Sequence, residues 1–158
     1  MADRATLEDG DVQELSLETA ADFLLNECRM VLPGIQSLFG FQLIAVFSSG
    51  FSEKLTVPEQ HLHLLAIALI AISVALIMTP AALHRRAGSR VVTETLIRVS
   101  SRMLLASMIP LALGTCIDFY LVARILLDDA LVPALAAALL GLFVVLWFVL
   151  PRVLIKRA

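Results

Sequence analysis

Four long runs of apolar residues divide the chain, and each is bounded by charged or turn-forming residues. A helix rises ~1.5 Å per residue, so a run of about 20 residues crosses the ~30 Å hydrocarbon core of a bilayer. The pattern therefore predicts four membrane spans, at about residues 31–51, 62–80, 103–127 and 130–150.

The chain before the first span changes character partway. Residues 1–16 are acidic and without periodicity, which predicts a flexible N-terminus. Over residues 17–30, apolar residues recur at helical spacing with charged residues elsewhere on the wheel, which predicts an amphipathic helix on the membrane surface. Pro33 and Gly34 predict a hinge between this helix and the first span, because proline removes a backbone donor and restricts the residue before it.

Two local signals mark helix starts outside the first span. Thr56 and Glu59 have the spacing of a capping box, which predicts the start of the second helix. Arg90, Glu94, Arg98 and Arg102 fall four residues apart, which predicts a ladder of charges on the surface of the third helix before it enters the membrane.

Composition places the chain in the membrane class. Apolar residues make up 59% of the sequence, charged residues 16%, and the mean hydropathy is +0.91. We therefore expect residues 17–158 to form one all-α domain, an integral membrane four-helix bundle with an N-terminal amphipathic surface helix.

The distribution of charge predicts the orientation. Acidic residues crowd the first segment, and basic residues gather in the loop between the second and third spans and in the C-terminal tail. Lysine and arginine mark the cytoplasmic side of a membrane, so both termini are expected in the cytoplasm. Such clustering indicates membrane orientation, with the lipid bilayer as partner, rather than nucleic-acid binding.

The third span carries a polar stripe. Ser107, Gly114, Thr115 and Asp118 project from one side of the predicted helix. An ionised carboxylate near the middle of a membrane costs about 3 kcal/mol on insertion scales, so Asp118 must face protein or water. Desolvation favours its neutral form, which suggests a proton- or cation-linked carboxylate on an internal path.

Hydrogen bonding within the bundle is the other interpretation of Asp118. Gln42 is expected at a similar depth in the first span, where it would bond the carboxyl group and fix helix packing. Gln36 and Gln42 are both costly in hydrocarbon without partners, so each is expected to face a neighbouring helix. Arg124 is expected to extend to the headgroups, with pairing to Asp118 as the alternative.

Other reactive residues give no catalytic pattern. Cys28 and Cys116 lie at different depths, which argues against a disulfide. His61 and His63 are two apart and face nearly opposite directions on a helix, so they cannot chelate one ion together. A phosphate-binding loop, a nucleophile elbow and a zinc-binding helix are all missing from the sequence. We therefore expect neither an enzyme nor a cofactor or metal site.

Two segments carry a resemblance to a known family. The matching positions are Asn26-Glu27-x-Arg29-x-x-Leu32-Pro33-Gly34-x-Gln36-x-Leu38-Phe39-x-Phe41, with Phe47, Phe51 and Pro80-Ala81-Ala82-x-His84-Arg85. They resemble a bacterial family of small four-span membrane proteins with a domain of unknown function, often labelled sodium:proton antiporter. The likeness runs from Ala21 into the third span and does not include Asp118.

The resemblance implies a multi-pass protein of the bacterial inner membrane. It also implies a cytoplasm-facing set made of Glu27, Arg29, Pro33, Gly34, Gln36, His84 and Arg85. Glu27 and Arg29 are expected to meet His84 or Arg85 at this cytoplasmic interface, which would join the surface helix to the basic end of the second span.

Two hypotheses of function follow from these patterns. In the first, the protein is an oligomeric ion channel or a proton- or cation-coupled transporter, whose subunits bring Gln36, Gln42 and the polar stripe together. In the second, it is an accessory or scaffolding membrane subunit that binds a partner complex or lipids. The polar stripe favours the first hypothesis, and the small size favours the second.

Overall fold

Helices account for nearly all of the chain that the computed structural model describes, which is residues 16–87, 93–127 and 130–155. Outside these ranges lie residues 1–15 of the predicted flexible segment, as well as Arg90, Lys156 and Arg157. The helices are α1 (Leu17–Val46), α2 (Ser49–Lys54), α3 (Val57–Ala87), α4 (Glu94–Leu127), α5 (Val132–Val144), a π-helical segment (Val145–Val149) and α6 (Leu150–Ile155).

The closest packing joins α3 to α4. Buried residues recur every three to four positions along α3, so they form one stripe that faces the neighbouring helices. These residues are Glu59, His63, Ala66, Ile70, Ser73, Ile77 and Pro80. Small buried residues at seven-residue intervals on α4, namely Ser100, Ser107 and Gly114, allow the two backbones to approach.

The first helix packs on this pair through a similar stripe. Cys28, Ile35 and Gln42 are buried at seven-residue intervals along α1. Cys28 and Ile35 form a core with Ile70 and Ile77 of α3. The opposite face of α1 and most of the last helical segment remain exposed on the apolar outer surface.

Four helical segments are long and apolar enough to cross a membrane: Thr19–Val46, Val57–Arg86, Glu94–Leu127 and Val132–Leu154. They pack against each other, and the described residues contain no strand. The predicted fold class, an all-α bundle of four long helices, is confirmed. The lengths and apolar surfaces of these helices suggest a multi-pass membrane protein.

The N-terminal part differs from the prediction in one respect. A separate surface helix at 17–30 and a hinge at Pro33 and Gly34 are not present, because α1 runs unbroken from Leu17 to Val46 with Pro33 inside it. Proline removes one backbone hydrogen bond, and the long apolar helix continues past that loss. The helix also ends before residue 51, and the short helix α2 follows.

Both predicted start signals are present. The main-chain nitrogen of Thr56 donates to Glu59 Oε2 at 2.8 Å, which is the glutamate half of a capping box. The Thr56 hydroxyl donates to the same oxygen at 2.7 Å, and the Glu59 main-chain nitrogen donates to the Thr56 main-chain oxygen instead of to that hydroxyl. Arg98 donates to Glu94 on the surface of α4 at 2.5 Å, which confirms one step of the predicted charge ladder.

Candidate functional site

Three polar side chains from three different helices meet near one end of the bundle. Gln42 is four residues before the end of α1, His63 is six residues after the start of α3, and Asp118 is nine residues before the end of α4. Because α3 runs antiparallel to the other two helices, these positions fall at one level. Gln42 and His63 are buried, with 4% and 7% of their surfaces exposed.

Asp118 is held through both of its carboxyl oxygens. The Gln42 side-chain amide donates to Oδ2, which confirms the predicted contact between these two residues. His63 Nδ1 lies 3.0 Å from Oδ1. The other ring nitrogen, Nε2, lies 3.1 Å from the main-chain oxygen of Gln42, so the histidine bridges α1 and α4. We call these three residues the polar triad.

The hydrogen-bond partners fix where protons can lie in the polar triad. A main-chain carbonyl only accepts, so His63 Nε2 must carry a hydrogen. If Asp118 were ionised and Nδ1 bare, two lone pairs would face each other across 3.0 Å. The contact is therefore attractive only when one proton lies between Nδ1 and Oδ1, on either atom. His63 and Asp118 thus form a pair suited to hold one exchangeable proton.

A cavity of about 410 Å³ adjoins the polar triad. All three residues of the triad line it, together with Phe51 and Lys54 of α2. The Phe51 and His63 rings pack in an edge-to-face arrangement, with 5.3 Å between ring centroids. Phe41 and Val122 line the cavity and are largely exposed, so the cavity opens to the outer surface between α1 and α4.

The helices close tightly on the other side of the polar triad. Ala66 and Ile70 of α3 are completely buried, and a Cβ at Gly114 of α4 would lie 2.9 Å from Ile70 Cδ1. One turn further on, Ser73 donates from its hydroxyl to the main-chain oxygen of Ser107 at 2.9 Å. The polar triad therefore adjoins a cavity on the α2 side and closely packed parts of α3 and α4 on the other side.

A second polar contact lies beside the cavity. Arg124 of α4 forms an ion pair with Glu59, the capping residue of α3. The alternative expectation that Arg124 pairs with Asp118 is wrong, because Glu59 lies one turn nearer the start of α3 and within reach of the arginine. The carboxylate of Glu59 is buried, whereas Arg124 is partly exposed.

The other predicted intramembrane polar residues do not join the polar triad. Ser107 is buried, and its hydroxyl donates to the Leu104 main-chain oxygen at 2.6 Å. Thr115 is half-buried. Gln36 is exposed, contrary to the expectation that it faces a neighbouring helix. It follows the buried Ile35 directly, and one residue rotates a helix by about 100°, which turns Gln36 away from the bundle.

The predicted cytoplasmic interface is not formed as expected. Glu27, Arg29 and Arg85 are exposed, and among the described residues no ion pair or hydrogen bond joins Glu27 or Arg29 to His84 or Arg85. His84 instead lies half-buried beside Leu24 and Ile97, and its Nδ1 is enclosed without a hydrogen-bond partner.

The described parts of the chain contain no cluster of metal-binding side chains. These ranges hold no group of three or more histidine, cysteine, aspartate or glutamate residues that is suited to an ion. Cys28 and Cys116 are both buried free thiols. The polar triad is thus a hydrogen-bonded site with one carboxylate, one imidazole and one amide.

Fold and site together define an all-α protein with four helices suited to a membrane and a polar triad enclosed between three of them. The chain belongs to DUF6328, a family of unknown function, whose family model matches residues 16–151. No curated protein and no solved structure matches the chain.

Proposed function

We propose that this protein is a membrane transporter that couples a proton to the movement of a cation through the His63–Asp118 pair. The observation that carries the proposal is the 3.0 Å contact between His63 Nδ1 and Asp118 Oδ1, which needs one proton to be attractive. Intramembrane ionisable residues are costly and commonly mark ion paths or proton relays.

Loss of the shared proton gives the coupling step. With Nδ1 and Oδ1 both bare, the contact becomes repulsive, and the carboxylate requires a new positive partner. A cation that enters from the cavity can take an oxygen ligand from Asp118, and Gln42 Oε1, which is buried without a hydrogen-bond partner, becomes a second ligand once the Gln42 side chain turns toward the cavity. Proton and cation would then compete for one carboxylate.

One-sided access also supports transport over a simple pore. The cavity adjoins the polar triad on the α2 side, and α3 and α4 pack closely at Gly114 and Ile70 on the other side. A continuous channel would need a polar path past this contact. We propose that α4 shifts against α3 at Gly114 to open the closed side.

The distribution of charge supports a location and an orientation. Arg85, Arg86, Arg98 and Arg102 all lie at the end of the bundle opposite α2. By the positive-inside rule this end faces the cytoplasm, so the termini are cytoplasmic and the cavity lies in the half of the bundle nearer the outer face of a bacterial inner membrane.

A second candidate function is that of a subunit in a larger membrane assembly. Gln36 favours it, because a glutamine exposed on an apolar helix face lacks hydrogen-bond partners in lipid. A second copy of this chain or another membrane protein would supply them. The assembly also provides a way to widen the path through so small a bundle.

Flux measurements in proteoliposomes test the proposed function. A pH-sensitive dye is trapped inside, and gradients of sodium, potassium or lithium are imposed across the membrane. We expect cation-driven proton movement with the wild type, a loss of at least tenfold with Asp118→Asn, and retention with Glu94→Gln, which removes an exposed carboxylate from the same helix. Equal flux with Asp118→Asn and the wild type would refute the proposal.

A further inference from the structure

The cavity beside the polar triad has the size and lining of a small-molecule site. Its volume of about 410 Å³ lies within the ~300–1,000 Å³ of typical ligand pockets. Apolar side chains from three helices make up most of its wall, including Leu38, Phe41, Leu121 and Val122. Its opening between α1 and α4 faces the apolar outer surface, so an apolar molecule can enter from the membrane.

Each N–H donor of the polar triad with a fixed partner is already used within the triad, so the triad offers a ligand hydrogen-bond acceptors. The Gln42 amide nitrogen is committed to Asp118, and His63 Nε2 is committed to the Gln42 main-chain oxygen. Gln42 Oε1 is left buried and without a partner, although Gln42 is only 4% exposed. An unsatisfied buried acceptor is costly. Because this oxygen has no surface open to the cavity, a ligand donor reaches it only after the Gln42 side chain turns toward the cavity.

Charge narrows the class of ligand. The His63–Asp118 pair is neutral while it holds its proton and carries one negative charge after the proton leaves. An ammonium group supplies both the donor for Gln42 Oε1 and the positive charge for Asp118. We propose that the cavity binds a lipophilic amine, with its apolar body between α1 and α4 and its nitrogen at Gln42 and Asp118.

The lipophilic amine is a substrate class for the same site, and its transport rests on the proposed function. Binding of the amine does not require proton coupling. An anionic amphiphile is the competing class, because Lys54 lines the same cavity. The two classes predict opposite orders of affinity within a series of ligands that share one apolar body.

The test uses purified protein in nanodiscs of zwitterionic lipid, with binding to empty nanodiscs subtracted. The probes are 4-phenylbutylamine, 4-phenylbutanol, butylbenzene and 4-phenylbutyrate. We expect the amine to bind at least about tenfold more tightly than the hydrocarbon, with the alcohol between them and the carboxylate no tighter than the hydrocarbon. Equal binding of all four, or tightest binding of the carboxylate, overturns the inference.

A pair of variants locates the binding. Val122→Trp places a large ring in the cavity and leaves the residues of the triad unchanged, whereas Leu126→Trp places the same side chain one turn away on an exposed position outside the cavity. Amine affinity should fall at least tenfold in the first variant and stay unchanged in the second. Unchanged affinity in Val122→Trp refutes the site. Amine binding without any wild-type proton flux refutes the proposed transport alone.

Discussion

His63 Nδ1 lies 3.0 Å from Asp118 Oδ1, which joins two residues 55 positions apart in the sequence. Gln42 completes the contact from a third helix, so the carboxyl group is bonded on both oxygens. The polar triad therefore ties α1, α3 and α4 together, and a second purpose follows from the proposed function, namely to hold one exchangeable proton.

Asp118→Asn should separate these two purposes. The asparagine oxygen can accept from the Gln42 amide, and its nitrogen can donate to His63 Nδ1, so every hydrogen bond is kept. We expect the free energy of unfolding in detergent to change by less than about 1 kcal/mol, while proton movement in liposomes is lost. A large loss of stability would show that the carboxylate charge itself holds the bundle.

Removal of the histidine, in contrast, should destabilise the protein. His63→Ala removes the hydrogen-bond partner of Asp118 Oδ1 and the side-chain donor to the Gln42 main-chain oxygen. The free energy of unfolding should fall by about 1–3 kcal/mol. His61→Ala, two positions away on an exposed face, is the matched control and should be neutral. Denaturant titration of both variants measures the difference, and similar stabilities would contradict the bridging role of His63.

The close approach of α3 and α4 makes a steric prediction. A methyl group at position 114 would lie 2.9 Å from Ile70 Cδ1 and 3.1 Å from the Ala66 main-chain oxygen. Gly114→Ala should therefore destabilise the protein by about 1–3 kcal/mol through overpacking. Gly34→Ala, with nothing within 4 Å, should be neutral or stabilising by up to ~1 kcal/mol. Thermal melting compares them, and equal melting temperatures would argue against the tight contact.

The Glu59–Arg124 ion pair predicts a measurable coupling. Glu59 is buried and Arg124 is partly exposed, so the pair lies between the surface and interior cases and should contribute about 1–2 kcal/mol. A double-mutant cycle with Glu59→Ala, Arg124→Ala and both changes isolates this value from the capping bonds of Glu59 to Thr56. Additive effects of the two substitutions would mean that the pair adds nothing to stability.

Gln36 tests the assembly hypothesis. If the exposed amide bonds a second subunit, Gln36→Leu should shift the protein toward the monomer in mild detergent and leave the fold of each subunit unchanged. Ser37→Leu changes the neighbouring exposed position and is the control. Size-exclusion chromatography with light scattering gives the mass, and a monomeric wild type would remove the support that Gln36 gives to an assembly.

Much of the fold is predictable from hydrophobic patterning, because a membrane helix requires a long apolar run. The contact of Gln42 with Asp118 is also predictable, since both residues lie at similar depths in helices that run in the same direction. The unbroken course of α1 through Pro33 is not, because a proline can kink, end or merely interrupt one bond of a long helix. Gln36 was misplaced because the sequence alone did not define which face of α1 is buried.

The role of His63 is not evident from the sequence pattern. The spacing of His61 and His63 bears only on metal binding, although residue 63 lies within the predicted second span. Little in the sequence points to the pairing, because His63 follows the start of the predicted second span by one residue whereas Asp118 precedes the end of the third by nine. The buried stripe that contains His63, Ala66, Ile70 and Ser73 emerges only in the structure.

The nitrogen resonances of His63 test the central claim most directly. With ring-labelled protein in lipid bilayers, we expect Nε2 to stay protonated throughout a pH titration, whereas the Nδ1 resonance reports one proton shared with Asp118 that is released as the pH rises. In Asp118→Asn this release should disappear. An Nδ1 resonance that does not change with pH, or that titrates identically in Asp118→Asn, would contradict a proton held between His63 and Asp118.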